Sequence, residues 1–382
     1  MLDTLKRLGV EPADLEIADA IGRYAQSELA PRAAEVDRAE TSTTRYVPQL
    51  AELGLMGMNL PERWGGTETS PVALILSLVE VAKACASTSS MLGAHYLATD
   101  SILIGGDDSQ RARYLPDAAA GGRLGAFALT EPRAGSNPAD MATRATPQSD
   151  GYRLRGVKHF ISNAEAADFI VVYAKTDPAA GTRGISAFVV DRHSDGVQVA
   201  PAEKLMGIHG APAHEVALDC FVPAANRLGP EGTGFRTAMK VLDNSRLDVA
   251  ATSLGIAEAA LACAVDWARQ RQVGGEPLAR KQGLQWTFAD MRTRLEAAWL
   301  LTLQAAARRR DGEPFTEQAS MAKLYASEMV GFVTDAALQI HGGYGFTREM
   351  PLERLVRDAR ILRIYEGSSE IQRTVIARAV LG

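Results

Sequence analysis

The chain has 382 residues, a net charge of −5 and 23% charged residues. This balance fits a folded protein of two or three domains and argues against a disordered chain or a general binder of polyanions. Its three cysteines, Cys85, Cys220 and Cys263, are too far apart for a disulfide framework or a metal-ligand spacing, which points to a reducing, cytoplasmic setting.

The N-terminal stretch "MLDTLKRLGVEPADLEIADAIGRYAQ" lacks the apolar core of a signal peptide. From residue 1 to 121 apolar residues recur at three and four, as in "LEIADAIGRYAQSELA" and "YVPQLAELGLMGM", which predicts a helical domain. Its most apolar window, "PVALILSLVEVAKACA", is interrupted by Glu80 and Lys83 and is too short to cross a bilayer. From 122 to 231 short runs such as "LGAFALT", "YRLRGVKHFISN", "DFIVVYAKT" and "HEVALDCFV" are separated by Gly, Pro, Asp and Asn. With no helices between them, they predict an antiparallel sandwich or barrel. From 232 to 382 long helical stretches return, including "SLGIAEAALACAVDWARQ" and "WTFADMRTRLEAAWLLTLQAAARRR", and read as a four-helix bundle. The order helices, β, helices makes an α+β chain. It carries no G-x-G-x-x-G after a strand, no P-loop, no H-E-x-x-H and no G-x-S-x-G elbow; "GIHGAP" has two glycines at the wrong spacing.

Four places carry polar or glycine-rich residues in unusual density. "AFALTEPRAGSNPAD", residues 126–140, runs a strand into Thr130, Glu131 and a loop with Gly135 and Ser136. It would suit a flat polar ring, and it would equally serve as an ordinary turn. "KHFISNA", residues 158–164, alternates an aromatic and a hydroxyl, or is simply a half-buried strand with Phe160 inward. The long helix expected to begin near "VLDNSRLDVAA" carries Asp243, Ser245 and Arg246. Ser and Asp are common caps, but a cation at a helix N-terminus opposes the macrodipole and calls for an anion. Arg308, Arg309 and Arg310 precede Asp311-Gly312, where cations favour a helix C-terminus. The densest stretch is "QIHGGYGFTREMPLERLVRDARILRIYEGSSEIQR", residues 339–373. Its glycines imply close backbone approach, and it delivers Glu366 between Tyr365 and Gly367. A solvated helix charge and a proton-abstracting base are both open readings of that glutamate.

Together with "GVKHFISNAEAADFIVVYAKTD", "EKLMGIHG…VPAANRLGPEGTGF" and "GGEPLARKQGLQW", these stretches resemble the acyl-CoA dehydrogenase family over essentially the whole chain. The resemblance implies a homotetramer holding one FAD per subunit; the charge, the lack of a Cys/His cluster and the short apolar window already argue against nucleic acid, a metal and a membrane. It puts the flavin ring against Phe127, Leu129, Thr130, Gly135, Phe160 and Ser162, with Ser136 near both flavin and the CoA arm. The adenosine half would lie on a neighbouring subunit at Arg271, Gln282, Gln339 and Gly343, with Ser368 and Glu370 completing the cofactor site. Asp243, Ser245 and Arg246 would meet the pantetheine and CoA nucleotide, and Tyr365 and Gly367 the thioester.

Glu366 would remove the α-proton while the β-hydride passes to the flavin, giving a trans-2-enoyl thioester. Fixed donors on the carbonyl, one being the Glu366 N–H, would make that proton acidic enough. Some members place the base on the long helix, at the position of Ser245 here. An electron-transferring flavoprotein is the implied acceptor. An acyl carrier protein thioester, or a flavin monooxygenase or desulfinase chemistry on the same fold, are the alternatives. "KHFIS", "PAANRLG" and "GGEPLA" lean towards short, branched acyl groups. The chain departs from the family pattern at Asn137, Phe160 and Ser368, where Asp, Trp and Thr are usual. It departs again at Gly274, where a family Phe packs on a neighbour's adenine, and a weaker hold on the cofactor is expected there.

Overall fold

The computed structural model describes residues 10–382. The first nine residues, part of the expected N-terminal domain and of the stretch read for a signal peptide, lie outside it. Helices α1 (Pro12–Tyr24), α2 (Ala33–Ala39), α3 (Val47–Glu52), α4 (Pro71–Ala84), α5 (Ala86–Gly105) and α6 (Asp108–Ala119) come first. Local chemistry sets their ends. Ser70 accepts a hydrogen bond from the Ala73 N–H ahead of Pro71, which opens α4. Asp107 and Gln110 form a reciprocal capping box at α6. The apolar window of the sequence is α4. Every residue from Val72 to Val79 is buried, as befits a helix enclosed on all sides.

The strands are β1 (Gly125–Ala128), β2 (Arg144–Gln148), β3 (Gly151–Ser162), β4 (Phe169–Lys175), β5 (Ile185–Asp191), β6 (Val197–Val199), β7 (Ala213–Pro223) and β8 (Arg227–Leu228). They form one eight-stranded sheet in the order β6-β7-β3-β2-β4-β5-β8, with β1 also on β4. The sheet is mixed: most pairs are antiparallel, as expected, but β4 runs parallel to β1 and to the first residue of β2. One face of β4 and β5 (Phe169, Val171, Tyr173) packs on α5 and α6, while the other (Ile170, Val172, Phe188) fills the β interior. Burial on both faces explains why "FIVVYA" is continuously apolar.

The C-terminal part contains α7 (Gly234–Gln270), a ribbon of β9 (Gln272–Val273) and β10 (Glu276–Pro277), α8 (Gln282–Arg310), α9 (Thr316–His341), α10 (Leu352–Arg360) and α11 (Ser369–Leu381). α9 packs on α7, α8 and α11. The 37-residue α7 is long and apolar enough to cross a membrane, but its apolar window is 67% buried within the protein. That apolarity serves a core. Leu74 and Ile75 of α4, Leu247 and Leu254 of α7, Met291 of α8 and Val330 of α9 belong to one continuous cluster. The two helical parts therefore share a single core, and the sheet stands beside it with clusters of its own.

The loop containing "GIHG" joins sheet to helices. The buried Asp358 carboxylate of α10 accepts a hydrogen bond from the Ile208 N–H at 2.6 Å, and the Gly210 carbonyl accepts one from the Thr43 N–H at 2.7 Å. A Cβ on Gly207 would lie 2.6 Å from the Arg357 carbonyl carbon, which explains the glycine by close approach. Gly207→Ala is expected to destabilise the protein by about 1–3 kcal/mol, because the obstacle is backbone and cannot rotate away. Thermal unfolding of the variant checks this.

Candidate functional site

On the sheet, β1 carries Phe127 to within 5.2 Å of the Tyr173 ring and leads into Leu129 and Thr130. A buried ion pair fixes this edge. Lys158, with no exposed surface, donates to the Leu129 carbonyl at 3.0 Å and to the Glu131 carboxylate at 2.8 Å. Glu131 also accepts from the Ala142 and Thr143 N–H groups. Burial alone would raise the Glu131 carboxyl, but Lys158 and these donors outweigh it and hold it below the usual range. Burial brings the Lys158 ammonium down to about 8 against the pull of Glu131.

Next to Lys158 the β3–β7 ladder breaks: Lys158 faces Val216, and the next paired residue is Ile161, opposite His214. The His159 N–H turns away to the Thr130 carbonyl at 3.0 Å. Phe160 adopts φ +58° and is 57% exposed. The reading that placed Phe160 inward is thus corrected, because the bulge turns it out. Ser162 follows, partly exposed, and Gly135 and Ser136 lie in the exposed loop after β1. A displayed aromatic beside a short β edge fits a flat ring, so the residues present suit a flavin.

At the other end of the chain, Glu366 has φ +57° and Gly367 φ +89°. Two left-handed residues in succession, one of them not glycine, need holding. The buried Lys323 of α9 donates to the Gly367 carbonyl at 2.7 Å, and Gln372 of α11 donates to the same carbonyl at 2.8 Å and to that of Glu366 at 3.2 Å. The Ser245 hydroxyl donates to the Glu366 carboxylate. Burial raises the Glu366 carboxyl, and Ser245, Lys323 and Arg246 only partly offset this. The Lys323 ammonium is brought down by burial to about 8, with Glu366 pulling the other way. Tyr365 lies beside the Ser90 hydroxyl, its phenol raised by burial.

Sequence reasoning assigned no role to Lys323 or Gln372. One signal was present for Lys323: it is a lysine on the small-residue stripe of Ala319, Ala322, Ala326 and Val330, all buried.

Asp243, Ser245 and Arg246 do not open a helix. α7 starts at Gly234, so they sit well inside it, and the macrodipole argument for Arg246 falls away. Arg246 is 4% exposed, pairs with Asp243 and leaves its Nε without a partner. A buried cation with unspent donor capacity still fits an anionic or carbonyl-bearing ligand. Arg308 and Arg310 close α8 as expected: Arg308 donates to the Pro314 carbonyl at 3.0 Å, and Arg310 pairs with Asp311 at 2.9 Å.

Arg271 and Gly343 line a hollow of about 580 Å³ with Trp267, His341 and Tyr344. The Trp267 and His341 rings stack at 4.9 Å. Gln282 and Gln339 are exposed and lie outside its lining. Ser368 is the residue before α11, and its hydroxyl helps to hold the exposed Glu370 carboxyl below its usual range, after the Glu370 backbone N–H. The hollow's flat aromatic wall and single guanidinium suit a nucleotide end.

Gly274 and Gly275, at φ +65° and +82°, form the two-residue turn of the β9–β10 ribbon, a geometry that demands positive φ at both positions. An aromatic at Gly274 would strain this backbone by about 1–2 kcal/mol. Gly274→Phe is therefore expected to leave flavin retention no tighter than in the parent, as read from cofactor dissociation on dilution.

Comparison with known proteins follows the same division of the chain. Models of the acyl-CoA dehydrogenase N-terminal, middle and C-terminal domains match residues 11–122, 126–220 and 232–381. An acryloyl-CoA reductase (NADH) of Anaerotignum propionicum is 43% identical over 94% of this chain and 92% of its own. The butyryl-CoA dehydrogenase structure of Megasphaera elsdenii superposes with a TM-score of 0.95 at 38% identity, covering 98% of this chain and 99% of its own. A structure described under the electron transferring flavoprotein of Acidaminococcus fermentans gives 0.96 at 39% identity, covering 97% and 98%. The chain belongs to the acyl-CoA dehydrogenase family of oxidoreductases.

Proposed function

We propose that the protein is an FAD-dependent dehydrogenase of short-chain acyl-CoA thioesters, with Glu366 as the base for the α-proton. The observation that carries this reading is the Glu366 carboxylate itself. It is raised by burial, met by a serine hydroxyl and presented on a left-handed turn that two side chains hold. Arg246 and Lys323 supply positive charge near the base, which favours its ionised form, while burial keeps it more basic than an exposed glutamate. The Glu366 N–H, fixed by the same turn, is the protein's donor to the thioester carbonyl. Phe127, Leu129, Thr130, Gly135, Ser136, Phe160 and Ser162 would hold the flavin, whose chemistry when bound is to accept the β-hydride. Asp243, Ser245, Arg246, Tyr365 and Gly367 would orient the thioester.

Arg271, Gln282, Gln339 and Gly343 are exposed on the C-terminal part. They would meet the adenosine half of a cofactor seated on another subunit, in a homotetramer. Trp286, Tyr344 and Phe346, exposed at 65%, 54% and 82%, supply apolar surface for such packing. Ser368 and Glu370 complete the cofactor site. The likeness to the structure described with an electron transferring flavoprotein supports that class of acceptor, in the cytoplasm. The short-chain reading rests on the butyryl-CoA dehydrogenase likeness. A glutamate that takes an α-proton can also return it, so the geometry serves enoyl reduction equally, the direction in which the Anaerotignum relative is named.

Glu366→Gln is expected to keep the bound flavin and to lose about 10²–10⁴-fold in acyl-CoA-dependent flavin bleaching under anaerobic conditions; retained bleaching would place the base elsewhere. The base works only when ionised, and its carboxyl lies above the ordinary 4.5, so flavin reduction should fail on the acid side at a pH higher than that value. Lys323→Met removes a neighbouring positive charge and should move this acid limb to higher pH, with Lys323→Arg moving it back. The pH profile of the reduction rate reads both.

A further inference from the structure

One buried acid near the base has no role in this scheme. Asp248 lies on α7, one turn beyond Ser245, whose hydroxyl bonds Glu366, and four residues beyond Asn244. Residues at these spacings share a helix face, so Asp248 continues the face that meets the base. Asn244 marks the other boundary of this space: its amide donates to the Asp100 carboxylate of α5 at 2.7 Å. Asn59 occupies the second Asp100 oxygen at 2.7 Å, and the Tyr96 hydroxyl is spent on the Leu55 carbonyl. Apart from the Asn59 carbonyl oxygen, which is enclosed without a partner, these neighbouring polar groups are thus satisfied. Asp248 is not: it is 7% exposed, and its Oδ1 is enclosed without a hydrogen-bond partner. The cation that acts on it, Arg309 of α8, influences both Asp248 and Asp100 without bonding either.

A pocket meant for a plain hydrocarbon chain gains nothing from such a group, since an unpartnered buried acceptor against methylenes is unfavourable. A hydrogen-bond donor on the acyl chain would satisfy it. One turn of helix rises about 5.4 Å, so the donor belongs a few bonds beyond the carbon that loses its proton to Glu366. We infer that the acyl pocket is built for a thioester whose acyl chain carries a hydroxyl or ammonium group on its distal carbons, and that Asp248 receives that group. The inference rests on the reading of Glu366 as the base and names the substrate class of that site.

The test compares three thioesters whose acyl chains have the same number of non-hydrogen atoms in line, on the flavin-loaded protein: pentanoyl-CoA and freshly prepared 4-hydroxybutyryl-CoA and 4-aminobutyryl-CoA. Anaerobic flavin bleaching is followed for the parent, Asp248→Val and Asp248→Asn. The parent is expected to favour one of the polar thioesters over pentanoyl-CoA by at least about tenfold in rate over Kd, with Asp248→Val erasing or reversing that ratio. Asp248→Asn, which keeps the shape and can still pair with a hydroxyl, should retain the preference if the natural group is a hydroxyl and lose it if it is an ammonium. A parent that favours pentanoyl-CoA, with a ratio unchanged in Asp248→Val, overturns the inference and leaves Asp248 as a counter-charge to Arg309. Binding of the same thioesters to Glu366→Gln, read from perturbation of the flavin spectrum, reports the selectivity without proton abstraction. Failure of the base assignment therefore shows separately from failure of the Asp248 assignment. If no thioester bleaches or perturbs the flavin, both fall together.

Discussion

The Gly367 carbonyl receives hydrogen bonds from the Lys323 ammonium and the Gln372 amide, and the functional half of the C-terminal region depends on that pair. Glu366 and Gly367 both lie in left-handed backbone, a conformation that costs energy for a glutamate and persists only when its surroundings over-determine it. α9 supplies one donor and α11 the other, so the turn is held from two sides. The same arrangement sets the electrostatics. Lys323 enters a buried place because a carbonyl and a carboxylate await it, and its charge then moderates the Glu366 carboxyl that burial has raised. Position and proton affinity are therefore two results of one contact.

The sheet solves a parallel problem with a different buried lysine. Lys158 ties the Leu129 carbonyl to Glu131, and Glu131 in turn takes two N–H groups from the segment before β2. With that edge fixed, the adjacent bulge can turn Phe160 outward. In both halves a buried ammonium donates to a backbone carbonyl with a carboxylate near it, bonded directly for Lys158 and acting through space for Lys323, the condition under which a buried charge is tolerated. Lys158 opens the stretch "KHFISNA", while Lys323 lies in no motif. Each is visible in the sequence as a charge on an otherwise buried face.

Much of the architecture was legible because periodicity and punctuation agreed: three-and-four spacing over the helices, and short runs between glycines and asparagines over the strands. Two readings went astray for physical reasons. The parallel seat of β1 on β4 was invisible, since a run of four residues carries no information about its partner or direction. α7 begins at Gly234, ahead of where its sequence suggests, because Asp243-Asn244-Ser245 has the composition of a cap while lying inside a helix. Of the site, Glu366 and its glycine stood out by composition, whereas the residues that hold them come from other helices and could be found only in three dimensions. Gly274 shows the converse. Against a family pattern it is a missing aromatic; in the structure it is half of a turn whose positive φ would strain one.

α4 and α7 belong to one core, yet the whole sheet lies between them in the chain. During synthesis α4 therefore leaves the ribosome with the part of its apolar surface that α7 will cover still open, and at about 5–20 residues per second that partner follows only after on the order of ten seconds. The contacts that finally enclose it join residues far apart in sequence, and the closure of so long a loop slows folding more than it costs stability. The sheet, whose two clusters draw mainly on its own strands and on α5 and α6, is suited to form during that interval and to bring the two helical segments together.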